Sequence, residues 1–133
     1  MPATTTTAPT GTAAIAHELV DLCRQGRNAD AIEQFYAGDI NSIESMGNEA
    51  MPAEVQGIDA VRKKHEWWTE NVQVHSATTR GPFIGDNEFA VFFEYDTTFK
   101  PTGKRNTMRE MALYTVDNGK IVREEFFYRT NAD

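Results

Sequence analysis

The sequence predicts an α+β fold, three N-terminal helices packed on a strongly curved, mostly antiparallel sheet. Apolar residues recur at spacings of three and four through the first half of the chain. They alternate through the second half. Gly, Pro, Asn and Asp fall where one period gives way to the next. At 133 residues the chain matches the usual size of one domain with one core.

The elements follow in order. Residues 1–11 are Thr, Ala and Pro without periodicity and read as a flexible tail, which leaves 12–133 as a single domain. Thr12 is placed to cap a helix from Ala13 to about Gln25, whose stripe is Ile15, Leu19, Leu22 and Cys23, with Gly26 as its stop. Asn28 is a good N-cap for a second helix carrying Ile32, Phe35 and Tyr36 and ending at Gly38. A short strand, Ile40 to Ser45, precedes a loop from Met46 to Gln56. A third helix starts at Gly57 or Ile58 and shows Ile58, Val61, His65 and Trp68 on one face, ending near Asn71. Four strands complete the chain: Val72–Arg80, broken by Gly81-Pro82; Phe89–Phe99; Asn106–Val116; and Ile121–Arg129. Asp117-Asn118-Gly119 is the hairpin signal between the last two, most simply a three-residue loop.

Composition excludes several classes. Cys23 is the single cysteine, so no disulfide scaffold exists, and one free thiol without an export signal fits a cytoplasmic protein. No apolar run approaches the roughly 18–20 residues of a membrane helix. Thirteen basic against twenty acidic residues give a formal charge of -7, which repels nucleic acid and acidic membranes. The run Arg62-Lys63-Lys64 is followed by Glu66 and makes no basic patch. Neither a phosphate loop nor a calcium loop is present. Glu44, Glu110 and His65 lack a metal-ligand spacing such as H-x-x-x-H, so neither metal nor cofactor is expected.

Alternation assigns the sheet faces. Phe89, Val91, Phe93 and Tyr95 share the face turned to the helices. In the last strand Val122, Glu124, Phe126 and Tyr128 lie together. A three-residue hairpin loop turns Glu110, Ala112 and Tyr114 inward, whereas a two-residue loop turns Arg109, Met111, Leu113 and Thr115 inward. On the first register, Glu44, Glu110 and Glu124 share an apolar concavity with His65. Carboxylates held there must pair or take up protons, and acids in unlike environments suit general acid/base work. The tamer readings are an ion pair of Glu110 with Arg123, a pairing of Glu124 with an arginine, and loop capping by Glu44. His17 and His75 read as surface residues, and Cys23 as packing.

The run Phe35-Tyr36-Ala37-Gly38-Asp39, then Gly57-Ile58-Asp59-Ala60-Val61-Arg62, then Asp117-Asn118-Gly119-Lys120-Ile121-Val122-Arg123 resembles the SnoaL-like and ketosteroid-isomerase-like branch of the NTF2-like superfamily, of cystatin-like fold. The resemblance spans roughly residues 12–130. It implies a cone with a pocket at its open end, and homodimers formed through the sheet. It also implies site positions. Glu44 falls where the isomerases carry their base, and Glu110 at or next to their protonated acid. Leu19 or Val20 stands where their oxyanion tyrosine would be, and His65 replaces a supporting tyrosine. A true steroid isomerase is therefore not expected.

The expected function is an isomerase- or cyclase-type enzyme for a small hydrophobic carbonyl compound. Glu44, Glu110 and His65 are its catalytic candidates, and Trp68, Phe93, Tyr95, Tyr114, Glu124 and Phe126 shape its pocket. Two alternatives stay open: a non-catalytic small-molecule-binding dimer, and a structural dimeric domain with ion-paired acids. Phe92, Leu113 and Phe127, beside Glu94, Arg109, Arg123 and Arg129 on the outer sheet face, suit a self-complementary interface.

Overall fold

The computed structural model describes residues 11–130; apart from Gly11, the expected N-terminal tail lies outside them. The element order is α1 (Thr12–Arg24), α2 (Asn28–Phe35), β1 (Tyr36–Ile43), β2 (Glu54–Gln56), α3 (Ile58–Asn71), β3 (Val72–Ile84), β4 (Glu88–Phe99), β5 (Lys104–Asp117) and β6 (Lys120–Phe127). One curved six-stranded sheet runs β2-β1-β6-β5-β4-β3. All neighbours are antiparallel except β1 and β6, which are parallel. Helix α1 packs on β3 and β4, and α3 on β1. Among the described residues no helix is long and apolar enough to cross a membrane.

The apolar stripes form the core. Ile15, Leu19 and Val20 of α1 meet Phe89 and Val91 of β4 and Ile40 of β1, all at 1% exposure or less. Burying each such side chain contributes about 1.5–3 kcal/mol before entropy is counted. The Gly26 stop is a Schellman turn: its amide bonds the Cys23 carbonyl at 3.0 Å, and the Arg27 amide bonds the Leu22 carbonyl at 2.8 Å.

Several boundaries move. Gly11, not Thr12, is the N-cap of α1, and Arg27, not Asn28, that of α2; neither makes a side-chain cap bond. Helix α2 stops at Phe35 rather than Gly38, because Tyr36 already pairs with Ile121 of β6. Tertiary pairing there overrides a helical period. The expected loop 46–56 ends in the short strand β2, whose Glu54 pairs with Ile43 and whose carboxylate accepts a 2.7 Å bond from Asn41. Gly81 and the cis-linked Pro82 do not break β3; the strand continues to Ile84 across a register shift between Arg80 and Phe83.

The hairpin combines features of both expected registers. Asp117 faces Lys120, so the loop is Asn118-Gly119, two residues at φ 50° and 73°, as a type I′ turn requires. Val116 then faces Ile121 while Thr115 faces Arg123, so Val122 is an unopposed bulge residue. The bulge restores the side-chain parity that the short loop would reverse. Tyr114 faces Glu124 and Ala112 faces Phe126, and Glu110, Ala112 and Tyr114 point inward.

Candidate functional site

The sheet, the three helices and the 46–52 loop line a cavity of about 410 Å³, within the range of small-molecule sites. Glu44, Glu110 and His65 all line it. So do Trp68, Phe93, Tyr95, Tyr114, Glu124 and Phe126.

One wall is formed by β1, β6, the residues after them, and α3. Ser42 lies directly opposite Glu124 across the parallel β1–β6 pair. Glu124 is 3% exposed, and its carboxylate accepts bonds from the Tyr36 hydroxyl at 2.5 Å and the Ser42 hydroxyl at 2.7 Å. Ser42 Oγ in turn accepts a bond from Lys64 Nζ at 2.8 Å, and Lys64 donates to Glu44 Oε2 at 2.6 Å. The Tyr128 hydroxyl donates to Glu44 Oε1 at 3.1 Å. This is a continuous chain, Tyr36–Glu124–Ser42–Lys64–Glu44–Tyr128. Burial pushes the Glu124 carboxyl up, against the downward pull of the Tyr36 and Ser42 bonds and the Lys64 charge. Burial, and then the charge of Glu44, push the Tyr128 phenol up to about 12. Among the described residues no arginine pairs with Glu124; its partners are the hydroxyls of Tyr36 and Ser42.

The other wall is β4 and β5. Glu110 sits opposite Phe93. Burial pushes its carboxyl up to about 8, helped by the charges of Glu44 and Glu124 and opposed by Lys64. No hydrogen bond from the described residues contributes to it. The expected alternative partner, Arg123, pairs instead with Glu125 at 3.1 Å. Tyr114 is 3% exposed, stacked on Phe89 at 4.8 Å and edge-on to Phe126 at 6.5 Å. Tyr95 stacks on Phe93 at 5.9 Å and tilts against Trp68 at 5.7 Å. Burial, and then nearby carboxylates, raise both phenols far above the ordinary tyrosine range.

Sequence reasoning missed Lys64, Ser42 and Tyr36 as site residues. Lys64 carried a legible signal, since it follows Val61 by three and precedes Trp68 by four on the same helical stripe. Its place in the run Arg62-Lys63-Lys64 made it look like a surface base. Cys23 also lines the cavity, and burial pushes its thiol up to about 12, as suits packing rather than nucleophilic chemistry. His17 and His75 are exposed. Among the described residues no group of three or more His, Cys, Asp or Glu side chains is arranged to hold a metal.

This cone, with acids facing into its cavity, is an NTF2-like scaffold. The chain belongs to the SnoaL-like domain family, which matches residues 10–128. A crystal structure from Mesorhizobium loti, bearing the name of a SnoaL-like polyketide cyclase, is 45% identical, with a TM-score of 0.83 over 87% of this chain and 97% of that one. Two more distant structures share the fold. A SnoaL-like protein from Jannaschia is 13% identical, with a TM-score of 0.68 over 95% of this chain and 90% of that one. A cystatin-like-fold protein of unknown function from Xanthomonas campestris is 15% identical, with a TM-score of 0.71 over 89% of this chain and 90% of that one. A search of the curated proteins found no match.

Proposed function

We propose that this protein is an isomerase- or cyclase-type enzyme that moves a proton on a small hydrophobic carbonyl compound, with Glu110 as the proton-transferring group. The observation that carries this is the state of Glu110: in a mainly apolar cavity, without a hydrogen bond from the described residues, and with a carboxyl pushed up to about 8. A general acid/base works best when its pKa lies near the operating pH. At pH 7 roughly a tenth of such a group is ionised, and that carboxylate is a stronger base than a solvated one.

The step follows from this. The Glu110 carboxylate takes a proton from the carbon next to the carbonyl, leaving an enolate and a neutral Glu110. Returning the proton to a different carbon of an unsaturated ketone completes an isomerisation; attack of the enolate carbon on a second carbonyl closes a ring as an alkoxide, which takes the proton back from Glu110. His65, on α3, is a second proton carrier. Glu44 has both oxygens engaged, by Lys64 and Tyr128, so its part is to hold Lys64 and to set the potential around Glu110. The polyketide-cyclase name of the Mesorhizobium structure is in keeping with this chemistry.

The test is exchange of the α-protons of 2-tetralone for deuterium, followed by NMR. The protein is expected to accelerate exchange at least tenfold over buffer, with an inflection near pH 8, and Glu110→Gln to return it to background. Binding of 2-tetralone without accelerated exchange would leave the non-catalytic binding reading in its place. For assembly, we propose a dimer through the outer sheet face, where Phe127 is 47% and Met111 38% exposed. Sedimentation would show a monomer if that is wrong.

A further inference from the structure

We infer that the amine of Lys64 condenses with the carbonyl of the ligand, so that the ligand is an aldehyde or ketone held as a covalent iminium. The inference rests on the reading that this cavity takes carbonyl compounds. It does not rest on Glu110 moving a proton there.

Among the described residues Lys64 is the only lysine that lines the cavity, and its side chain is 15% exposed. The other four, Lys63, Lys100, Lys104 and Lys120, are exposed. The other nucleophiles lining or bordering the cavity are occupied or unreactive. The Ser42 hydroxyl donates to Glu124, and burial pushes the Cys23 thiol up to about 12. A lysine amine in a cavity needs a base beside it before it can attack carbon. Glu44 Oε2 stands 2.6 Å from Lys64 Nζ and already accepts one of its protons.

The acid that such a condensation needs is at hand. Lys64 Nζ lies 5.5 Å from the centre of the Phe126 ring. Phe126 faces Ala112 across β5–β6, and Glu110 is two residues from Ala112 on the same inner face. Glu110 is therefore the diagonal neighbour of Phe126, at a typical backbone spacing of about 7–8 Å. The amine and the carboxyl flank one aromatic ring, and the Lys64 charge acts on Glu110 across it.

The step balances as follows. Glu44 takes one proton from Nζ. The freed lone pair bonds to the carbonyl carbon as the C=O π pair moves to oxygen. A proton then passes from the nitrogen to that oxygen. Neutral Glu110, the main form at pH 7 for a carboxyl pushed up to about 8, protonates the hydroxyl. The C–O bond breaks, water leaves, and the nitrogen lone pair closes the C=N bond. Glu110 is now a carboxylate, and it can take a proton from the carbon next to the iminium. The C–H pair becomes the C=C bond of a neutral enamine, in place of the enolate of the direct route.

The experiment is reductive trapping at pH 7 with 2-naphthaldehyde and sodium cyanoborohydride, read by tandem mass spectrometry. Lys64 is expected to be labelled at least about tenfold faster than any exposed lysine, with neighbouring Lys63 as the internal reference. 2-Tetralone should slow labelling at Lys64 and leave Lys63 unchanged. Labelling of Lys64 no faster than that of Lys63 would overturn the inference and mark Lys64 as a structural ion-pair residue only. Lys64→Arg keeps a cation between Ser42 and Glu44 but has no amine to condense. Its exchange of 2-tetralone α-protons for deuterium should fall to background. Exchange at the wild-type rate in Lys64→Arg would sink the iminium and leave direct proton transfer by Glu110 standing. Fast trapping at Lys64 without exchange at any pH would do the reverse. Trapping on wild type decides the question even if the variant does not fold.

Discussion

The two walls of the cavity use the same side-chain chemistry, carboxylates and phenols, in opposite ways. On the β1–β6–α3 wall the carboxylates and phenols are joined in one chain from Tyr36 to Tyr128. On the β4–β5 wall Glu110, Tyr95 and Tyr114 stand within reach of each other's charge and share no hydrogen bond with the described residues. The first arrangement offsets its own desolvation, because each dehydrated group meets a partner. The second has no such partners among the described residues, and burial pushes its carboxyl and phenols up. The closed wall is held together within the fold, and under the proposed function the open wall is the one that faces the ligand.

The largest effect that would break this comparison lies in Glu110. Its carboxyl rises from the ordinary 4.5 to about 8 on folding, so the folded state holds the proton more tightly than the unfolded one. Its contribution to stability is full below pH 4.5, falls by about 1.4 kcal/mol per pH unit as pH rises toward 8, and is flat above. Glu110→Gln keeps the shape and cannot ionise. It should match wild type near pH 4.5 and exceed it at pH 9 by up to about 4–5 kcal/mol in urea unfolding. Parallel curves for the two proteins would mean that Glu110 is solvated and that the wall is not open in the sense argued here.

Next in size is Lys64, the centre of the closed wall. Lys64→Met removes the donor to both Ser42 and Glu44. Because the two charged side chains retain 15% and 25% exposure, the cost is set below that of a sealed ion pair, at about 2–3 kcal/mol. The substitution also removes the charge that lowers the Glu110 carboxyl, so the Glu110 inflection should move to higher pH. A stability loss without that movement would separate the two walls electrically.

Much of this site was legible in the sequence. Alternation placed Phe89, Val91, Phe93 and Tyr95 inward, and three glutamates were expected in one concavity. The register of the last hairpin was not legible. Ile121 and Val122 are both apolar, so neither marks itself as the bulge, and the short turn and the bulge cancel only in the folded sheet. The closed wall was hidden for a different reason. It depends on Ser42 facing Glu124 across a parallel pair between strands far apart in the chain, a relation that no local period encodes. Tyr36 looked helical because its neighbours do, and only its pairing with β6 makes it a strand residue.

The smallest effects give the sharpest test of the division, because one atom is removed from tyrosines that line the same cavity. Tyr36→Phe takes away a donor to the buried Glu124 and should cost about 1–2 kcal/mol. Tyr114→Phe removes a hydroxyl that no described protein group uses from a ring as buried as that of Tyr36. With no hydrogen bond lost, its stability should stay within about 0.5 kcal/mol of wild type. The ranking matters more than either number. Burial alone predicts equal costs for the two deletions, whereas the division into a bonded and an unbonded wall predicts that only Tyr36 is missed by the fold. Equal losses in urea unfolding would show that Tyr114 has a partner within the protein, and the open wall would then be no different from the closed one.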